Sequence, residues 1–356
     1  MTGPMKRLTI KDVAAAAGVS TQTVSRVINE RPDVADATRQ HVTAVIEKLG
    51  YRPSALARSM IRRRSYTLGV VTAGLKYIGP SRVLHGITDA AEQEGYGVLL
   101  IQLPSFGSTA VEPILDRLVE RRVEGVIWAV AEVGDNHVWL QDHAARLGVP
   151  VVVTSTRQQP DTYVVNIDNY EGGQMATRHL IEQGYRHIGH ISGPLDWWEA
   201  QQRKAAWGDV LAEAGLRTDG DTWVSGNWSS RSGLHAAEQL FAQYPEMDAV
   251  FVANDQMALS VLQLAASRGL QVPQELGVVG FDGIPEAPYF WPALTTVDQD
   301  QHQLGTSAVQ ALIRMIDGDQ NGEERPPKNR LVLHPKLIVR ASSRPALTAH
   351  LSSQSK

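Results

Sequence analysis

From Tyr66 onward the chain alternates short apolar runs with helical patterns, and this alternation restricts its possible folds more than any other feature. Leu68–Ala73, Gly97–Leu103, Gly125–Ala129, Val149–Thr154, Ile188–Ser192, Ala249–Ala253 and Gly277–Phe281 are apolar stretches of strand length. Such runs suit strands buried on both faces of a parallel sheet. Between them lie stretches with helical spacing, including SRVLHGITDAAEQEGY, EPILDRLVERRV and QMATRHLIEQGY. Repeated βα units predict doubly wound α/β domains with right-handed crossovers. One sheet would be crowded by roughly 280 residues, so two similar lobes are expected.

The N-terminal stretch Thr9 to Asn29, TIKDVAAAAGVSTQTVSRVIN, has a different texture. Thr9 and Asp12 have capping-box spacing, so a helix can start there with its first amides satisfied. Ile10, Val13, Ala14 and Ala17 fall on one face, and Gly18 supplies a left-handed stop. Ser20 can cap a second helix in which Val24, Val27 and Ile28 point inward. Thr21, Gln22, Ser25 and Arg26 are then left outward. Gln and Arg can make bidentate contacts to base edges, so this face suits a reader of the DNA major groove. After the loop ERPDV, a third helix runs through TRQHVTAVIEKLG, with Val42, Val45, Ile46 and Leu49 buried and Gly50 as its stop. In Tyr51 to Arg64, YRPSALARSMIRRR, Pro53 suits a first turn, and Ala55, Leu56, Ala57 and Met60 form a short apolar helix. Such a segment is too short to be helical alone in water.

Charge divides the chain in the same way. Residues 1–64 hold 12 Lys+Arg against 5 Asp+Glu, while the rest of the chain holds 22 against 33. A basic module on an acidic body points to a polyanion partner for the first part only. The chain has no cysteine, which excludes disulfides and thiolate metal sites and suits a reducing cytoplasm. MTGPMKRLTIK lacks a secretory apolar core, and no run approaches a membrane span, so a cytoplasmic location is expected.

DVAAAAGVS followed by TVSRVIN closely resembles the headpiece of LacI/GalR-family transcription regulators, and the resemblance extends over almost the whole chain. It implies a helix-turn-helix headpiece over residues 1–50, a hinge helix and linker over 51–65, and a two-lobed periplasmic-binding-protein-like effector domain over 66–345. Residues 346–356 are expected to be a disordered tail. By that resemblance Thr21, Gln22 and Arg26 take the base-reading positions, and Met60, with Ala57 on the same face, takes the position that wedges into the minor groove. Where the family carries a hydroxyl cap for the third helix, this chain has Ala35, with Asp36 able to support the first turn instead. The chain should cross between lobes three times, near Asn166–Tyr170, Thr296–Asp300 and Pro326–Arg330. No leucine heptad follows Ala341, so a homodimer is the default.

In open α/β sheets, ligands sit beyond the carboxyl ends of the strands. The family's effector contacts correspond to Tyr77, Arg203, Trp228, Asn254, Asp282 and Gln299. Its GPL, R-x-A-x-W and VANDQMAL patterns stand here as Gly193 to Leu195, Arg203 to Trp207 and Val252 to Leu259. Asp282 can accept hydroxyl hydrogen bonds, and Arg203 and Asn254 can complete a fan of donors and acceptors. Trp228, Trp197 and Trp198 offer flat faces to the C–H side of a pyranose, whereas Trp207 belongs to a helix's buried stripe. The acidic Asp196 and Glu199 favour a neutral, hydroxyl-rich ligand over a phosphorylated one. The expected effector is therefore a mono- or oligosaccharide, with a purine corepressor as the alternative.

Other function classes are poorly supported. Asp168, Asp255, Asp282, Asp298 and Asp300 could furnish a carboxylate pair, yet there is no G-x-S-x-G, P-loop or G-x-G-x-x-G after a strand. The eleven histidines are scattered without H-E-x-x-H spacing, so neither an enzyme nor a metal site is expected. A secreted sugar-binding protein would lack the basic three-helix module. The expected function is a repressor, without cofactor, released from a palindromic operator by a sugar.

Overall fold

A computed structural model describes residues 8–29, 31–51, 64–108, 111–140, 147–157, 162–321 and 330–343. It divides into two compact units, Met1–Tyr66 and Thr67–Lys356.

The first unit holds α1 (Ile10–Ala17), α2 (Thr21–Ile28) and α3 (Asp36–Leu49). Thr9 closes the capping box with Asp12, whose Oδ2 accepts from the Thr9 amide at 2.8 Å and from its hydroxyl at 2.7 Å. Gly18 turns the chain with φ of 65°, and Ser20 Oγ caps α2 by accepting from Thr23 N at 3.0 Å. Helix α3 starts at Ala35 without a side-chain cap, and Asp36 stands in its first turn. Val13, Ala14, Ala17, Val24, Val27, Val34, Val42 and Tyr51 form the core, with Ile10, Ile28, Val45, Ile46 and Leu49 partly buried against it. Each buried valine contributes about 1.5–3 kcal/mol, which is what lets helices as short as eight residues persist.

The second unit begins with β1 (Thr67–Ala73), α4 (Ile78–Gln93), β2 (Gly97–Leu103), α5 (Glu112–Glu120), β3 (Gly125–Ala129), β4 (Val151–Thr154) and β5 (Tyr163–Ile167). It continues through α6 (Asn169–Glu182), β6 (Ile188–Ser192), α7 (Trp198–Glu213), β7 (Trp223–Ser225), α8 (Ser230–Gln243), β8 (Ala249–Val252), α9 (Asp255–Ser267) and β9 (Gly277–Asp282). Last come β10 (Thr295–Asp298), α10 (Gln301–Asn321), β11 (Arg330–Leu333) and β12 (Lys336–Ile338). The strands form two six-stranded sheets, ordered β11-β5-β4-β3-β1-β2 and β12-β10-β9-β8-β6-β7. Every pair is parallel except β10 with β12. The two-sheet, two-lobed reading is the fold observed. Helices α4 and α10 touch backbone to backbone, because a Cβ on Gly86 would overlap the His302 carbonyl and one on Gly305 the Val83 carbonyl.

The chain passes between lobes after β5 into α6 and after β10 into α10, at the first two expected places. The third pass is displaced. Arg330–Leu333 pairs in parallel with β5, Leu331 opposite Val165, so the chain changes lobe at His334-Pro335 instead of Pro326–Arg330. RLVL is a short edge strand with no fully buried residue, so it lacks the longer apolar run that marked β4 and β8 in the sequence. Among the described residues, no helix is long and apolar enough to cross a membrane.

Candidate functional site

In the first unit, Val24 and Val27 lock one side of α2 into the core and leave Thr21, Gln22 and Arg26 exposed on the other. Ser25 is half-buried, and its carbonyl accepts from Asn29 Nδ2 at 2.6 Å. Arg26 Nη1 lies 3.4 Å from Asp33 Oδ2, with both side chains about half exposed. A pair this exposed is weak, so the guanidinium can exchange it for another acceptor. A short helix with one face anchored and a Gln/Arg face free is the shape a major groove admits. Ala57 and Met60 lie outside the described residues.

In the second unit, the carboxyl ends of the strands meet in a cleft. Tyr77 precedes α4 after a turn closed by Tyr77 N donating to Gly74 O at 2.8 Å. Trp197 precedes α7, and Asn254 caps α9. Asp282 ends β9 with φ of 114°, a left-handed conformation costly for a residue with a Cβ. Tyr77, Trp197, Arg203, Trp228, Asn254 and Asp282 line one recess of about 430 Å³, together with Glu199, Gln256 and Gln301. A second recess of about 470 Å³ shares Trp197, Glu199, Arg203 and Gln301 and adds Gln299, Ser155 and Leu304.

Aromatic rings form a connected wall. Trp197 meets Tyr77 at 76° and Trp228 at 70°, with centroids 6.5 and 5.6 Å apart. Phe106 packs on Trp197 at 4.4 Å and 60°. Trp228 sits hard against Gly193, where any Cβ would overlap the indole. The glycine of GPL therefore holds room for that ring.

Arg203 is the charged centre and is buried. Its Nε donates to Asn169 Oδ1 at 2.8 Å, its Nη1 donates to the Ala253 carbonyl at 2.5 Å, and Nη1 lies 3.7 Å from Asp282 Oδ1. The guanidinium also lies 3.9 Å from the Phe281 ring centroid and 5.4 Å from that of Trp228. Burial lowers its pKa, while Asp282, Glu199 and Asp255 oppose the shift. Burial pushes the Asp282 carboxyl up to about 6 against the pull of Arg203, and it raises Glu199 in the same direction. Asp282 Oδ1 accepts from Gln299 Nε2 at 2.6 Å. Behind it, Asp255 accepts from Thr296 Oγ1 at 2.6 Å and Ile284 N at 2.9 Å, and burial, reinforced by Asp282, lifts it to about 8. The cleft therefore offers a buried cation and carboxyl groups beside aromatic faces, a set suited to hydroxyl groups on an apolar ring.

Two expectations need adjusting. The Asn254 amide is engaged in the scaffold, its Oδ1 capping Met257 N at 2.9 Å and its Nδ2 donating to Trp228 O at 3.0 Å. It places Trp228 more than it offers a free fan of donors and acceptors. Trp198 lines neither recess, because α7 turns consecutive side chains about 100° apart. Its backbone amide instead donates to Glu132 O at 3.1 Å. Phe106 and Glu199 were not expected as site residues. Phe106 follows a strand end in an undistinguished loop, and Glu199 had registered only as nearby acidity.

The chain matches the model for bacterial regulatory proteins of the lacI family over residues 9–54 and that for a periplasmic binding protein-like domain over residues 177–343. It is 33% identical to the HTH-type transcriptional repressor PurR of Photobacterium profundum, across 94% of this chain and 98% of that protein. The Lac repressor dimer bound to operator and the anti-inducer ONPF aligns with TM-score 0.85 and 29% identity, covering 95% of this chain and all of that one. A complex of the transcriptional regulator CelR with cellobiose aligns with TM-score 0.68 and 31% identity, covering 94% and 100%.

Proposed function

We infer, from the premise that this chain belongs to the LacI family and is a DNA-binding transcriptional repressor, that its effector is a sugar which releases it from operator DNA. The carrying observation is the angle between the cleft's rings. A purine is flat and stacks best between parallel planes, whereas Trp197 stands at 70–76° to both Trp228 and Tyr77. A pyranose is thick, with C–H groups on its faces and hydroxyls at its rim, and it fits a corner of crossed rings. Asp282, Glu199 and Arg203 serve the rim. The two recesses share Trp197 and Arg203, which favours a ligand of two linked rings. The cellobiose-bound CelR relative agrees with this reading, and the PurR relatives motivate a purine arm in the test.

Thr21, Gln22, Ser25 and Arg26 read bases in the major groove, and Lys and Arg contacts to phosphates add salt-dependent affinity. Residues 51–65, with Ala57 and Met60, act as the conditional hinge that opens a base step in the minor groove. A homodimer supplies both half-sites. Tyr77, Trp197, Arg203, Trp228 and Asp282 hold the sugar, with Gln299 orienting Asp282 and Trp198 anchoring the loop. Sugar binding need only favour the arrangement with lower DNA affinity, and a coupling of about 1–3 kcal/mol is typical. The test is a footprint on the neighbouring promoter with panels of mono- and disaccharides and of purine bases. Release by a disaccharide is expected. Tightening of the footprint by a purine, with no response to any sugar, would overturn the proposal.

A further inference from the structure

His85 and Asp89 lie one turn apart on α4, and His302 opens α10. His302 Nε2 is 3.0 Å from Asp89 Oδ2, and His85 Nε2 is 3.3 Å from the same oxygen. All three candidate ligand atoms lie within 4.8 Å of one another. Zinc holds nitrogen and oxygen ligands at about 2.0–2.2 Å in a tetrahedron, which places adjacent donors roughly 3.3 Å apart. Two edges of such a triangle already have nearly that length. The third closes by rotation of the His85 side chain, which is 69% exposed and whose ring already meets that of His302 edge-on with centroids 5.2 Å apart.

The supporting backbone is rigid. Gly86 follows His85 and lies against the His302 carbonyl, and Gly305 lies against the Val83 carbonyl. Main-chain contact at His302 itself and one turn further along, at Val83 and Gly305, opposes sliding of the two helices, so much of the cost of assembling the site is met by the fold. Two imidazoles and one carboxylate suit a borderline cation, unlike Mg²⁺ or Ca²⁺, which prefer all-oxygen shells. We propose that His85, Asp89 and His302 form a Zn²⁺ site that clamps α4 to α10. Ile78, Gly79 and Pro80 of α4 and Gln301 of α10 line the ligand cleft, so the clamp stiffens one of its walls. Water completes the coordination from the exposed side.

The test is calorimetric titration of ZnCl₂ into full-length, untagged, chelator-stripped protein at pH 7.5, with Co²⁺ absorption as a report on geometry. One Zn²⁺ per chain and a tetrahedral Co²⁺ spectrum are expected, with millimolar Mg²⁺ failing to compete. H85A and H302A should each weaken Zn²⁺ binding at least tenfold and abolish the Co²⁺ spectrum. Undiminished binding in H302A, or no binding by the native chain, overturns the site. Should H302A fail to fold by circular dichroism, H85A decides alone, because its side chain is mostly solvent-exposed.

Discussion

Asp282→Asn separates ligand recognition from folding, because it removes a charge and keeps the shape. Asp282 Oδ1 is already held by Gln299, which leaves Oδ2 as the free acceptor for a ligand hydroxyl. A hydrogen bond to a charged group contributes about 1.5–3 kcal/mol, so losing one should weaken sugar binding about ten- to a hundredfold. Stability should not fall in step. The folded pKa of about 6 stands above the ordinary value of 3.8, so ionisation is penalised in the fold. That stability contribution is complete below the unfolded value and lost as pH rises through 6, which at neutral pH costs about 3 kcal/mol. The asparagine escapes this cost, and because the raised pKa already includes the attraction of Arg203, stability at neutral pH should hold or rise. Sugar affinity, followed by tryptophan fluorescence, should be flat above pH 7 in the native chain and fall as Asp282 gains a proton near pH 6. In the variant it should be uniformly weak and independent of pH across that range. An Asp282→Asn protein that folds and binds sugar with native affinity would refute this role for the carboxylate.

Arg26→Ala should cost roughly 1–3 kcal/mol on the preferred DNA site and relax base preference there while leaving sugar affinity unchanged, as read by fluorescence anisotropy. Gly193→Ala would push a methyl into the Trp228 indole, so sugar response should drop while headpiece binding to DNA persists, checked by gel shift with and without sugar. Asp255 is raised from 3.8 to about 8, so the body should lose about 2–3 kcal/mol of stability between pH 6 and pH 9, measured by guanidinium unfolding. An Asp255→Asn chain should show little of that loss.

The features legible in the sequence were those with local causes. The capping box at Thr9, the cap at Ser20 and the stops at Gly18 and Gly50 are chemistry within four residues, and all form. All seven apolar runs became strands, six of them because burial on both faces leaves continuous hydrophobicity, whereas Gly97–Leu103 is a largely exposed edge strand. Five further strands escaped notice. β5 and β10 carry polar residues in YVVNI and TTVD, and β7, β11 and β12 are three or four residues long. The cleft was visible where a motif marks it, as at Asp282 on a strand end and at Arg203 within α7. It was not visible at Phe106, whose role depends on the loop after β2 returning to Trp197. The histidine trio was beyond any spacing rule, since His302 stands 213 residues from Asp89.

The lobe-crossing segments share one edge. β5 neighbours β11 in one sheet and β10 neighbours β12 in the other, while Asp168 N donates to Leu333 O at 2.9 Å and His334 pairs with Glu171 at 2.5 Å. Like the covers of a book stitched along a single spine, the halves can turn about that line but resist shear and twist. Work done by a small molecule gripping both covers is thus funnelled into one rotation, and little is dissipated in other directions.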